Sequence, residues 1–181
     1  KFEKMCSCLF QVVYGIIALV TFALTAVSMF TPNWSTVTDD ISHGILPFSC
    51  SLPGQSSSDT CEQWYDNLPT SEKVVVACMC LALIFIALAF VYNLFTACAC
   101  CCKECLLTPL TIISVFIDIF LAVAIIIYAV DNGNYIDFGN GIPDPSNTIG
   151  YSFYLACGAL GLAIINTVVS AAANCCAGIC C

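Results

Sequence analysis

The chain has 181 residues, 60% of them hydrophobic and 9% charged, with a formal net charge of −8 at pH 7. So few charges among so many apolar residues exclude a water-soluble globular domain. The acidic balance disfavours anionic partners, so no nucleic acid is expected.

Four apolar runs, at 9–30, 74–97, 106–130 and 151–173, exceed the roughly 20 residues that cross a bilayer. None contains Lys, Arg or His. Backbone polar groups in lipid must be satisfied within the segment, so each run is predicted to be a helix. The first is too long for the core of a signal peptide. It continues into Met29 and Phe30 without a small-residue cleavage site, and is taken as a retained span.

A loop over 31–73 follows, with Trp34 just beyond the first run. Thr36 to Thr38 and residues 44–50 carry weak strand character. Pro47 restricts the second of these to a sheet edge or a bulge, and residues 51–60 are turn-rich around Pro53 and Gly54. Cys50 and Cys61, with ten residues between them, are the pair of the sixteen cysteines that stands on a polar loop. An isolated pair of this kind suggests a disulfide on an oxidising face. Asn33-Trp34-Ser35 fits the glycosylation pattern, but Asn33 is so close to the membrane that no modification is expected.

The second and third spans are joined by a short turn at 98–105. Asp118 lies midway along the third. An intramembrane carboxylate is a functional candidate by default, and no cationic side chain occupies any span to pair with it. It is expected to be neutral and hydrogen-bonded to Asn166 on the fourth span or to Ser114 one turn away. A sharper alternative is a polar or basic group on a partner membrane protein. The loop at 131–150 is turn-rich, with Asp131, Gly133, Gly139, Gly141, Pro143 and Pro145, and has little strand character. Cys157, Gly158, Ala159 and Gly161 are small enough to bring the fourth span close to a neighbouring helix of the same bundle. A tail at 174–181 follows.

Orientation comes from charge. Lys1, Lys4 and Lys103 share a face with the C-terminus, and the positive-inside tendency makes that face cytosolic. Nine acids, among them Glu62 and Asp66, then lie outside. Cys6, Cys8, Cys98, Cys100, Cys101, Cys102, Cys105, Cys175, Cys176, Cys180 and Cys181 lie beside the membrane on the cytosolic side, where thiols stay reduced and are substrates for palmitoylation. Cys102 and Cys105 have C-x-x-C spacing, but no second pair completes a zinc framework, so no metal and no cofactor is expected. His43 stands near Asp39 and Asp40 without an arranged nucleophile, and no enzymatic activity is expected.

Four spans, Trp34, the Gly44-Ile45-Leu46 stretch and the Cys50 and Cys61 pair resemble the W…GLW-x-x-C…C signature of the claudin superfamily. Cys61 to Leu68, including Tyr65 and Asp66, is similar to the C-x-x-Y-D-S-L that follows the second cysteine in claudins. Gly150-Tyr151-Ser152-Phe153-Tyr154 is similar to the G-W-S-F-Y segment of the auxiliary-subunit branch of the superfamily. The second signature Trp is absent, replaced by Leu46 or displaced to Phe48, Gly44 lies one residue farther from its cysteine, and the second span lacks the usual Arg. These departures point to a claudin-like tetraspan, of the invertebrate kind, rather than a strict claudin.

The resemblance implies an all-α four-helix transmembrane bundle carrying a small extracellular antiparallel β-sheet. It also implies a multi-pass plasma-membrane location with both termini cytosolic, at cell junctions. Partners would be membrane lipid and other membrane proteins. By analogy with pore-forming claudins, Glu62 and Asp66 are candidates for charge selectivity in a cation-preferring path. Two functional classes follow: cell–cell adhesion or a paracellular barrier, and an auxiliary subunit of an ion channel or receptor.

Overall fold

The computed structural model describes residues 2–37, 41–43, 45, 66, 68–98, 103–131 and 147–179. Four helices, α1 (Phe2–Phe30), α2 (Thr70–Cys98), α3 (Lys103–Asp131) and α4 (Tyr151–Ile179), each contain 29 residues. All four are long and apolar enough to cross a membrane. At 1.5 Å per residue such a helix is about 43 Å long, against a hydrocarbon core of about 30 Å, so its ends project beyond the lipid tails. The helices therefore outrun the apolar runs. Cys98 belongs to α2, and Lys103 to Cys105 belong to α3, which shortens the expected turn at 98–105. Likewise α4 continues through most of the expected tail to Ile179. No proline stands at these edges, and Gly178 in the extension of α4 does not end that helix; a backbone already hydrogen-bonded in lipid has no reason to unwind there.

The helices form a ring in which α1 packs on α2 and α4, and α3 packs on α2 and α4. Small residues face the centre, among them Ala18, Ala82, Ala89, Ala124, Ala156 and Ala159. Between membrane helices close packing replaces the hydrophobic drive, and alanine permits close backbone approach. Phe22, Ile84, Leu88, Ile119, Ile126 and Val168 point outwards, where lipid would meet them. The small residues of α4 divide between these faces. Ala159 is fully buried, whereas a Cβ added at Gly158 or Gly161 would meet nothing within 4 Å. The two glycines thus do not serve packing inside the bundle as expected.

Three three-residue strands stand where α1 ends and α4 begins: β1 (Ser35–Val37), β2 (Ile41–His43) and β3 (Asn147–Ile149). They pair antiparallel in the order β2-β1-β3, with Thr36 opposite Ser42 on one side and Thr148 on the other. The strand β3 is an addition to the sequence reading, which found little strand character in that loop. Residues 44 and 46–50 lie outside the described residues. Ile45 is buried in the apolar core.

Candidate functional site

The last carbonyls of a helix and its first N–H groups lack intrahelical partners. At one end of this bundle the two kinds of terminus meet. The Val27 carbonyl at the end of α1 accepts from Thr31 N (3.0 Å) and Thr31 Oγ1 (2.7 Å). The next carbonyl, that of Ser28, accepts from the indole Nε1 of Trp34 at 2.6 Å. Trp34 is 1% exposed. Its ring lies edge-on to Tyr128 of α3 (4.8 Å between centroids) and to Phe153 of α4 (6.2 Å). Apolar ring and polar N–H are thus both satisfied, which a buried tryptophan requires.

The same residues hold the start of α4. Ser152 N donates to Asn33 O (3.1 Å), and Gly150 N donates to Trp34 O (3.0 Å). Ser28 Oγ donates to Ser152 O at 2.8 Å. The Thr31 hydroxyl proton is directed at Val27 O, so Ser152 Oγ donates to Thr31 Oγ1 across 2.6 Å. The negative end of α1 and the positive end of α4 therefore cap one another, a favourable dipole arrangement. Gly150 makes this approach possible, because a Cβ there would overlap the Asn33 carbonyl. Strand β1 leaves from Trp34 and β3 arrives at Gly150, so the sheet is fastened to the bundle through this junction. Of the G-Y-S-F-Y segment, Gly150, Ser152 and Phe153 are committed to it.

A family model described as "Tight junction protein, Claudin-like" matches residues 5–181. The chain belongs to the claudin-like family. A comparison with curated proteins finds none that matches. The family's description is that of a tight-junction membrane protein, and in this chain Trp34 is the residue that locks α1, α3, α4 and the sheet together.

Other expected positions of this claudin-like chain fall in different places. Cys50, Cys61, Gly44, Leu46 and Glu62 lie outside the described residues, as do Cys100, Cys101, Cys102, Cys180 and Cys181. Asp66 is exposed, and its backbone carbonyl accepts from Lys73 Nζ at 3.1 Å. Cys6 and Cys8 lie in the first turns of α1, Cys98 ends α2, Cys105 opens α3 and Cys176 lies near the end of α4. Cys175 is an exposed free thiol near the end of α4.

Asp118 takes a different partner from those expected. Thr167 Oγ1 of α4 donates to its Oδ2 at 2.7 Å. Ser114 is engaged elsewhere, donating to Leu110 O (3.0 Å) while paired with Tyr14 Oη (2.8 Å). Asn166 is 5% exposed, and its Oδ1, like Asp118 Oδ1, is buried without a hydrogen-bond partner. Residues 166 and 167 differ by about 100° around a helix, so adjacent positions at one depth face different neighbours. We expect Asp118→Leu to change stability by less than about 1 kcal/mol. A single interhelical hydrogen bond in a membrane averages about 0.6 kcal/mol, and the freed Thr167 hydroxyl can turn to its own helix. Thermal unfolding in mild detergent measures it, and a loss of several kcal/mol would show Asp118 to be a structural keystone.

Further polar contacts, not singled out from sequence, tie the helices together. Asn93 Nδ2 donates to Gln11 O (3.1 Å), and Gln11 Nε2 approaches Thr96 Oγ1 at 3.5 Å. A Cβ on Gly15 would lie 3.1 Å from Asn93 Nδ2, so the glycine makes room for that side chain. Thr111 Oγ1 pairs with Ser170 Oγ and accepts from Asn174 Nδ2, each at 2.7 Å. The available signal was the recurrence of amides and hydroxyls inside otherwise apolar runs, which marks inward positions.

Proposed function

We propose that this claudin-like tetraspan acts by protein–protein contacts outside the cell, in adhesion or a paracellular barrier, with both termini in the cytosol. The observation that carries the reading is the Trp34 junction. It fixes β1 and β3 on the helix ends, so the segments 38–69 and 132–146 leave from a rigid base. Such a base suits surfaces that must register with a second copy or a second membrane. Nine acids belong to that side under this orientation, and Glu62 and Asp66 would favour cations in a narrow aqueous path. A disulfide between Cys50 and Cys61 would close the first segment.

The auxiliary-subunit alternative draws less support. The unpaired Asp118 oxygen is enclosed within the chain, where an approaching helix would not reach it. The inward residues of the G-Y-S-F-Y segment are occupied at the junction. Purification in mild detergent, with mass spectrometry of the associated proteins, separates the two readings. We expect the protein itself and junction proteins, and imaging should show enrichment at cell–cell contacts. Stoichiometric recovery of one channel or receptor would overturn the adhesion reading. If a path forms, Glu62→Lys should lower its preference for cations.

We also propose that cytosolic juxtamembrane cysteines carry acyl chains, a reading supported by the exposure of the Cys175 thiol at the end of the membrane-crossing stretch of α4. Hydroxylamine-sensitive acyl exchange should label the protein. Replacing Cys98, Cys100, Cys101, Cys102 and Cys105 together by Ser should reduce that label. Absence of label on the wild-type protein would refute acylation.

A further inference from the structure

We propose that the centre of the bundle binds one structural water molecule, held by the Asn166 side chain. A cavity of about 10 Å³, counted as room for the centre of a water-sized sphere, lies among the four helices. That is about the space one water needs, roughly 10–15 Å³ on the same measure. Its lining includes Tyr14 and Thr21 of α1, Ser114 and Ile117 of α3, and Ala163 and Asn166 of α4. All six are buried.

A count of protons identifies the ligand. Thr21 Oγ1 donates its proton to Ile17 O at 2.9 Å. Ser114 Oγ donates to Leu110 O, so the proton in the 2.8 Å contact with Tyr14 comes from the Tyr14 hydroxyl. Asn166 Oδ1 is an acceptor with no partner. Each of these three hydroxyls has spent its donor, and each keeps a lone pair. Asn166 Nδ2 apart, the polar side chains around the cavity thus offer four acceptor oxygens and no spare hydrogen, which suits a small molecule with hydrogens to give. Water supplies two. A bare cation would also suit oxygen ligands, but no carboxylate lines this cavity. An uncompensated charge at bilayer depth is far more costly than a neutral molecule. Bridging α4 to α1 and α3, the water would satisfy Asn166 beside the direct Tyr14–Ser114 contact that already joins α1 to α3 across the ring.

The test uses the full chain in lipid bilayers, with water-edited solid-state NMR. Magnetisation from water should reach Ala163 and Ile117 several-fold faster than Leu121 and Ala124. These two controls are fully buried on α3 and do not line the cavity. Equal rates at all four would overturn the proposal. Asn166→Leu should slow transfer at Ala163 to the Leu121 rate, and unchanged transfer would remove Asn166 as the anchor. The wild-type comparison stands even if that variant does not fold. Replacing sodium by a bulky organic cation should leave the Ala163 signals unmoved. A shift that follows sodium concentration would assign the cavity to a cation and overturn the water.

Discussion

Trp34→Ala should destabilise the protein by about 4 kcal/mol, within the 3–5 kcal/mol typical of emptying a buried large aromatic site. The change removes the ring that Tyr128 and Phe153 enclose, and it takes from the Ser28 carbonyl its short donor, leaving the 3.4 Å approach of Thr31 Oγ1. Trp34→Phe separates the two effects. It keeps most of the apolar contact and loses the indole N–H, leaving a buried carbonyl short of a donor at a cost of about 1–3 kcal/mol. Thermal unfolding in detergent, followed through a fused fluorescent reporter, ranks wild type above Phe and Phe above Ala. A Phe variant as stable as wild type would show that the cap on α1 contributes nothing. An Ala variant within about 1 kcal/mol of wild type would show that the junction does not hold the bundle together.

Gly150→Ala should cost about 3 kcal/mol, the upper part of the usual range for overpacking, although it adds a single methyl group. The obstacle is the Asn33 backbone, which cannot turn aside as a side-chain tip would. Relief requires pulling α4 from α1 or parting β3 from β1, with loss of the Ser152 N to Asn33 O bond. Gly158→Ala and Gly161→Ala provide the contrast within one helix. Both positions open onto empty space, and alanine is the better helix former by about 1 kcal/mol, so these variants should match or exceed wild type. Three equal outcomes would mean that Gly150 is not under the constraint described. Melting temperatures of the three variants in one detergent decide it.

The helices were legible because lipid leaves the backbone few options, and each apolar run announced one. Their ends were not, since Cys98 and Lys103 carry no signal that stops a helix beyond the membrane edge, and Gly178, a residue that often ends helices, lies within α4. Thr36 and Val37 showed strand character by composition, whereas Asn147-Thr148-Ile149 acquires its strand only by pairing with β1, more than a hundred residues away. Trp34 could be singled out by resemblance. The constraint on Gly150 could not, because it is imposed by the Asn33 carbonyl in a distant part of the chain. Depth along a span placed Asp118 near Asn166, but depth says nothing about rotation, and Thr167 is the residue turned towards it.

The Trp34 pocket also has a history in time. Its tryptophan is made early, yet its walls come from Tyr128 and Phe153, and the groups that seal it from Gly150 and Ser152. While a ribosome is still delivering α3, the indole has no enclosure and the end of α1 has no opposing helix. Completion must therefore wait for α4 to enter the membrane. A chain released short of residue 150 would display an uncovered aromatic and unpaired carbonyls beside the bilayer. Those are features by which quality control in the membrane could recognise an unfinished molecule.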